Sequence, residues 1–126
     1  MKTMSKILVT GGTGLVGAHL LYYLTKDGYH PIAIKRTNSN ILNVKKIFSY
    51  YSNDYNTLFE QITWEECDIL DIVTLEDIIK DSVEIYHCAA LISFNNNDKN
   101  EMINVNTTGT ANVIDLALKH NIKRLC

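Results

Sequence analysis

The stretch that decides the fold reads Ile7-Leu8-Val9-Thr10-Gly11-Gly12-Thr13-Gly14-Leu15-Val16-Gly17, near the start of a chain of 126 residues. Its first four residues are apolar or β-branched, which is typical of a short buried strand. Glycines follow at once and predict a tight turn, after which apolar side chains recur at helical spacing as far as Leu24. A strand that runs through a glycine-rich turn directly into a helix indicates the first half of a βαβ unit.

The glycines of this stretch predict an anion site. Gly11 permits the tight turn, Gly14 lets the backbone approach a pyrophosphate, and Gly17 lets the helix pack close to the sheet. The free N–H groups of the first helical turn then face the phosphates, helped by the helix dipole. A plain strand-to-helix turn would not need three glycines at this spacing. We therefore predict a dinucleotide site whose phosphate-binding part consists of Gly11, Thr13, Gly14, Leu15, Val16 and Gly17.

The remaining sequence alternates strands and helices to its end. Further strands are predicted at 32–34, 62–67, 83–90 and 123–126. Further helices are predicted at 41–61 (as one long or two short segments), at 74–80 behind a capping box, and at 102–120, with polar loops at 36–40 and 95–100. This pattern predicts an α/β fold with a doubly wound parallel sheet of the Rossmann type, in the strand order 3-2-1-4-5, truncated within strand five.

Composition and charge exclude several classes of protein. The net charge of −2 argues against a nucleic-acid partner, which favours a basic chain. No apolar stretch approaches the roughly 18 residues of a membrane span, and no signal-peptide core precedes the first strand, so we expect a cytoplasmic protein. The three cysteines, Cys67, Cys88 and Cys126, lack a CxxC spacing and the histidines are scattered, so neither disulfides nor a metal site is predicted. Cys67 and Cys88 lie in apolar stretches and are predicted to be buried thiols.

Four motifs, in this order along the chain, resemble those of the extended short-chain dehydrogenases, also called the NAD-dependent epimerase/dehydratase family. They are Thr10 to Gly17 as TGxxGxxG, Asp68-Ile69-Leu70-Asp71 as the acidic turn after strand three, His87-Cys88-Ala89-Ala90 as HxAA, and Asn106-Thr107-Thr108-Gly109-Thr110 as NxxGT. The resemblance covers essentially the whole chain.

The resemblance extends the expected cofactor site beyond the glycine loop. It implies that Asp68 contacts adenine, with Ile69 next to it. It also implies that the segment Cys88-Ala89-Ala90 lies beside the adenosine ribose. Asn106 is included as a cofactor-binding residue, although this asparagine is often a structural anchor in the family. Asp68 likewise has an alternative role, as a turn or cap residue.

The end of strand two indicates which dinucleotide is bound. In an NAD site a carboxylate at this point accepts a hydrogen bond from the ribose 2′-hydroxyl, but the sequence here reads Ile34-Lys35-Arg36-Thr37 and offers no carboxylate. The guanidinium of Arg36 can donate paired hydrogen bonds to the 2′-phosphate of NADP. We therefore predict NADP in preference to NAD, with Lys35 or Ser39 assisting in phosphate binding. The alternative is that Arg36 stacks on the adenine or points to solvent.

The residues of a complete active site are not predicted in this sequence. In the family a Ser or Thr follows strand five, and a Tyr-x-x-x-Lys pair on the next helix supplies the general acid/base. The sequence ends at Cys126, and its Tyr-x-x-x-Lys, Tyr22 to Lys26, lies on the first helix, where it is expected to pack rather than to catalyse. We therefore predict no catalytic residue. The chain is interpreted as one incomplete NAD(P)-binding domain, 1–126, without a substrate-binding portion.

The resemblance implies an oxidoreductase or epimerase that moves hydride between nicotinamide and a carbonyl or alcohol carbon. Arg36 favours the reductase branch, and this chain alone is expected to be inactive. The alternative is a non-catalytic module that binds NAD(P) for redox sensing or regulation. A fifth strand cut short would expose an edge and apolar helix faces, so a homodimer is a further expectation.

Overall fold

The computed structural model describes residues 6–89 and 95–126. In this part of the chain, parallel strands form one sheet in the order β3-β2-β1-β4-β5. The strands are β1 (Ile7–Thr10), β2 (Ile32–Lys35), β3 (Thr63–Glu66), β4 (Glu84–His87) and β5 (Arg124–Leu125). The predicted doubly wound α/β fold and its strand order are confirmed.

Helices connect the strands and cover both faces of the sheet. They are α1 (Leu15–Lys26), α2 (Ile41–Tyr51), α3 (Tyr55–Phe59), α4 (Ile72–Ile79), α5 (Lys99–Asn104) and α6 (Thr110–Lys119). A 3-10 turn, Asn96–Asp98, leads into α5, and a π-helical segment, Val105–Gly109, joins α5 to α6. None of the helices in the described ranges is both long and apolar enough to cross a membrane.

Strand β1 is the centre of two cores. Successive side chains of a strand point to opposite faces, so Leu8 packs with Leu75 of α4 and Val113 of α6. Val9 points the other way and packs with Leu21 of α1. Each of these side chains is fully buried, and burying one stabilises the fold by about 1.5–3 kcal/mol relative to exposure. Because β1 is buried on both faces, its continuous apolar run is the pattern expected of a central parallel strand.

The register aligns the carboxyl ends of three strands. Thr10 at the end of β1 pairs with Ile34 of β2 on one side and with His87 of β4 on the other. The loops that leave these strands therefore meet at a single edge of the sheet, at the point where the chain changes direction across β1. Ligands of open α/β sheets bind at such a crevice.

The helix predicted to start at Thr74 begins earlier, because a different residue caps it. The helix α4 starts at Ile72, and the carboxylate of Asp71 accepts from the Thr74 N–H at 3.3 Å and from its hydroxyl at 2.8 Å. The capping-box assignment with Thr74 as cap was wrong, although Asp71 and Thr74 do form a cap together. The ambiguous segment 41–61 is two helices, which separate at Ser52.

Two further sequence-based boundaries and one prediction of burial were wrong. The predicted loop 95–100 instead contains the 3-10 turn and the start of α5, because the Asn95 side chain accepts from the Asn97 N–H and so starts a turn. Strand β4 ends at His87: the Cys88 N–H still bonds to the Thr10 carbonyl of β1, but the Ala89 N–H bonds to the Thr10 side chain instead. Cys67 is buried as expected, whereas Cys88 is only half-buried because it lines a cavity.

Candidate functional site

A cavity of about 250 Å³ opens at the carboxyl edge of the sheet. It is lined by Gly11, Thr13, Gly14, Ile34, Lys35, Arg36, Ser39, Cys67, Asp68, Ile69, Cys88, Ala89 and Val105. The loops after β1, β2, β3 and β4 all contribute, as the register predicts. Of the predicted site residues, the fold brings together Gly11, Thr13, Gly14, Arg36, Asp68, Ile69, Cys88 and Ala89.

Other predicted site residues lie outside this lining. Leu15 and Val16 are 72% and 70% exposed and their side chains are apolar, so a role in phosphate binding would come from their backbone N–H groups. Gly17 is buried beneath the glycine loop, and Asn106 is exposed on the π segment. Ala90 lies outside the described residues. The cofactor roles of these residues stay predictions.

Three lining residues were missed by the sequence reasoning. Ile34 could have been found, because a residue in register with Thr10 at the same sheet edge must face the same crevice. Cys67 and Val105 carry no local signal for a site. Burial, and after it the carboxylates of Asp71, Asp68 and Glu65, raises the pKa of the Cys67 thiol to about 11, so it lines the cavity as a neutral group.

The glycine loop requires glycine where it touches neighbouring backbone. Gly11 has φ +67°, and a Cβ on it would lie 2.5 Å from the Ala89 nitrogen. A Cβ on Gly17 would overlap the Gly11 carbonyl oxygen. Gly14 differs, because a Cβ there would meet only the Gly11 oxygen, at 3.4 Å, and would otherwise point into open space. The loop therefore packs tightly against the sheet and leaves room on its cavity side.

The N-terminus of α1 is open toward an anion. Gly14 is its N-cap residue, no side chain caps it, and its first turn carries no acidic residue. The Gly14 N–H donates to the Gly11 carbonyl at 3.1 Å, and the intrahelical bonds begin with Ala18 N–H donating to the Gly14 carbonyl. The amides of the first turn are thus left for a ligand or water, and the helix dipole is not offset by a carboxylate on that turn.

A partly buried chain of hydrogen bonds holds the loop after β4 against β1. The fully buried Thr10 hydroxyl oxygen lies 3.1 Å from the Cys88 N and 3.2 Å from the Ala89 N, both of which donate to it. It also lies 2.7 Å from His87 Nδ1, and His87 Nε2 lies 2.9 Å from the Thr110 hydroxyl of α6. These hydrogen bonds connect the end of β1 to the loop after β4, which lines the cavity, and connect it through His87 to α6.

The hydrogen-bond count assigns the tautomer of His87. A hydroxyl has one hydrogen and two acceptor positions. The Ala89 N–H and the Cys88 N–H, which the Thr10 carbonyl shares at 3.1 Å, occupy both acceptor positions of the Thr10 hydroxyl. The Thr10 hydrogen therefore goes to Nδ1, so the ring proton lies on Nε2 and is donated to Thr110. If Nδ1 also carried a proton, that proton would point at the hydrogen of the Thr10 hydroxyl, which is unfavourable. Burial lowers the pKa of His87 from its ordinary value of 6.5, in agreement with a neutral ring.

We expect folded His87 to titrate below pH 6.5 with its proton on Nε2. The unfolded ring binds a proton that the folded ring resists, so stability from this group is complete above pH 6.5 and falls as the pH decreases through that value. Ring nitrogen chemical shifts in an NMR titration measure both the tautomer and the pKa. A proton found on Nδ1, or a folded-state pKa above that of the denatured chain, would contradict the assignment.

Both cations at the end of β2 have carboxylate partners. Arg36 Nη2 lies 3.3 Å from Glu101 Oε1 of α5, and Lys35 Nζ lies 3.5 Å from Glu66 Oε1 of β3. A second, more polar cavity of about 680 Å³ adjoins the first at this point. Arg36 lines both cavities, whereas Glu66 and Glu101 line only the second.

The acidic turn after β3 is held from two sides. The Asp68 carboxylate accepts from the Leu70 N–H at 3.0 Å, so it forms a local turn while it lines the cavity. Asn112 of α6 donates to the Ile69 carbonyl at 2.9 Å. A Cβ on Gly109 would overlap the Ile69 side chain, so glycine allows this close packing. The NxxGT sequence thus supports the turn through Gly109 and the nearby Asn112.

Comparisons with known proteins agree with this geometry. The model of the NAD dependent epimerase/dehydratase family matches residues 7–126. The UDP-glucose 4-epimerase of Mus musculus is 28% identical over 126 residues, which cover 97% of this chain and 36% of that protein. The aldehyde reductase 2 of Sporidiobolus salmonicolor is 29% identical over 113 residues, 90% of this chain and 31% of that protein. The chain spans about a third of the length of these curated relatives.

Solved structures show the same fold. The Bordetella bronchiseptica enzyme WbmH, crystallised with NAD+, superposes with a TM-score of 0.75 at 22% identity, over 98% of this chain and 38% of that chain. A UDP-glucose 4-epimerase from Thermotoga maritima, crystallised with UDP-glucose, gives 0.75 at 22% identity, over 95% of this chain and 36% of that chain.

Proposed function

Since the chain belongs to the NAD dependent epimerase/dehydratase family, we propose that the cavity at the carboxyl edge of its sheet binds the adenosine and pyrophosphate portions of a nicotinamide dinucleotide. The observation that carries the proposal is the uncapped start of α1 above a glycine loop that lines the cavity. Backbone N–H groups and a helix dipole at that point favour a pyrophosphate. The open space at Gly14 fits the group, because a side chain would fill the place of a phosphate.

The other lining residues have the chemistry that adenosine requires. We assign Asp68 and Ile69 to the adenine, with one polar and one apolar contact, and Cys88 and Ala89 to the adjacent ribose. The Cys88 thiol contributes only apolar and weak polar contact, because burial raises its pKa above the ordinary value and keeps it neutral. These residues bind and orient the coenzyme and do not take part in proton transfer.

We further propose that this chain is the coenzyme-binding portion of an enzyme that acts on a carbonyl or alcohol carbon. A bound nicotinamide supplies hydride exchange with such a carbon. The relatives include epimerases and reductases. We favour the reductase reaction, because Arg36 at the end of β2 offers a phosphate-binding cation in the position where a carboxylate would select the ribose 2′-hydroxyl.

Arg36 leads us to expect that NADPH binds somewhat more tightly than NADH. The expected advantage is about three- to tenfold at low salt, because the guanidinium gains a phosphate but already has a carboxylate partner. The advantage should shrink as salt rises, since both groups are half-exposed to solvent. Titration of the chain with each coenzyme, followed by calorimetry and by the shift in melting temperature, measures the two affinities.

The titrations test dinucleotide binding and the preference for NADP separately. If a folded chain binds neither coenzyme at millimolar concentration, the proposed function is wrong. If both bind but NADH binds more tightly, dinucleotide binding holds and the role of Arg36 in selecting NADP is rejected.

A further inference from the structure

We propose that Glu101 limits the affinity of this site for a 2′-phosphorylated coenzyme by competing for Arg36. The proposal rests on the proposed function, since it concerns the coenzyme expected in the same cavity. It assigns a specificity-determining role to a residue of α5, which is remote in sequence from the strand end where the choice between NAD and NADP is usually made.

The geometry of the pair carries the proposal. Glu101 Oε1 lies 3.3 Å from Arg36 Nη2, which is within reach of a charge-assisted hydrogen bond. The two side chains are 53% and 49% exposed, so a ligand can reach both of them. Arg36 faces the cavity assigned to the coenzyme, and Glu101 faces the adjoining polar cavity. A phosphate that Arg36 bound at this boundary would therefore meet the carboxylate of Glu101.

The charges around the second cavity strengthen the effect. Among the described residues, its lining contains one cation, Arg36, and the carboxylates of Glu66, Asp68, Asp71 and Glu101. The neighbouring cation, Lys35, is paired with Glu66. A 2′-phosphate carries close to two negative charges, so it competes with the Glu101 carboxylate for Arg36 and is repelled by it, whereas the 2′-hydroxyl of NAD is neutral. The competition therefore affects NADPH and leaves NADH almost unchanged.

The decisive variant is Glu101→Gln. It keeps the size of the side chain, removes its charge and weakens its hydrogen bond to the guanidinium. We expect the dissociation constant for NADPH to fall about tenfold, with that for NADH changed less than about twofold. Glu60→Gln is the matched control, because Glu60 is exposed at the end of α3 and lines neither cavity; it should change neither affinity by more than about twofold.

A second background tests whether the effect passes through Arg36. In Arg36→Gln the affinity for NADPH should fall, and adding Glu101→Gln to it should recover less than about threefold. Adenosine 2′,5′-bisphosphate and AMP, which differ only in the 2′-phosphate, should repeat the contrast between NADPH and NADH. Melting temperatures of all variants confirm that each is folded.

The results separate this proposal from the one on which it rests. If wild type binds neither coenzyme, the proposed function fails. If wild type binds both, and Glu101→Gln changes neither affinity or changes both by the same factor, Glu101 has no role in specificity. A full tenfold gain in the Arg36→Gln background would also overturn the proposal, because competition for Arg36 could not then be its cause.

Discussion

Gly17→Ala is expected to cost about 3 kcal/mol or more of folding free energy, whereas Gly14→Ser, three residues earlier, should change it by less than about 1 kcal/mol. A Cβ on Gly17 overlaps the carbonyl oxygen of Gly11, a backbone atom held by the turn, so the helix must move away from the glycine loop. Gly14 has φ −75° and open space on its cavity side, and serine is a favoured N-cap residue.

The two variants should also differ in coenzyme binding. The serine at position 14 fills the space assigned to a phosphate and caps the same amides, so we expect dinucleotide affinity to fall at least about tenfold in a protein that melts like wild type. Denaturant unfolding followed by circular dichroism gives the stabilities, and calorimetry gives the affinities. The geometry of the loop would be refuted by a stable Gly17→Ala, and the phosphate site by a Gly14→Ser variant that binds as well as wild type.

Thr10→Val is expected to destabilise the protein by about 2–3 kcal/mol although it preserves the shape of a fully buried side chain. The valine cannot accept from the Ala89 N–H or donate to His87 Nδ1, so two half-buried polar groups lose their partner. The Cys88 N–H keeps a bond to the Thr10 carbonyl at 3.1 Å. The loop after β4 should therefore loosen at Ala89, where it lines the coenzyme cavity.

Thr10→Ser is the matched control, because it keeps the hydroxyl and loses only a methyl group. It should cost about 1 kcal/mol and keep the Nε2 proton of His87. Hydrogen exchange of the Ala89 amide reports on the bond directly and should accelerate in Thr10→Val alone. Equal stability of the valine and serine variants would show that the hydroxyl contributes nothing to holding this loop.

The fold could be predicted because its signals are local and agree with one another. The apolar run of β1 and the glycines after it identify the first βαβ unit, and right-handed crossovers then leave few strand orders to consider. The site followed from the fold, since Arg36, Asp68 and Cys88 each come one or two residues after a strand at the same sheet edge. Sequence order was sufficient to bring these residues together.

Contacts between distant segments could not be predicted. Arg36 could be recognised as a cation at the right strand end, but its partner Glu101 is 65 positions away on a helix whose start was itself misplaced. Several asparagines at 95–100 favour loops by propensity, but the Asn95 side chain accepts from the Asn97 N–H and starts a turn that leads into α5. The hydrogen bond that Asn112 donates to the Ile69 carbonyl could not be predicted either, because no pattern in the sequence of α6 indicates it.

The π segment Val105–Gly109 has a consequence for how relatives of this chain can be aligned. A π turn arises when an insertion adds a single residue to an α-helix, and each residue advances the helix by about 100°. In a homologue that lacks the inserted residue, the side chains on the N-terminal side of that position would be rotated about the helix axis by this angle relative to α6. A valine and a glutamate aligned with Val105 and Glu101 would then turn away from the cavity and from Arg36. Identical residues aligned across a gap in this helix therefore do not by themselves imply that the same contacts are made.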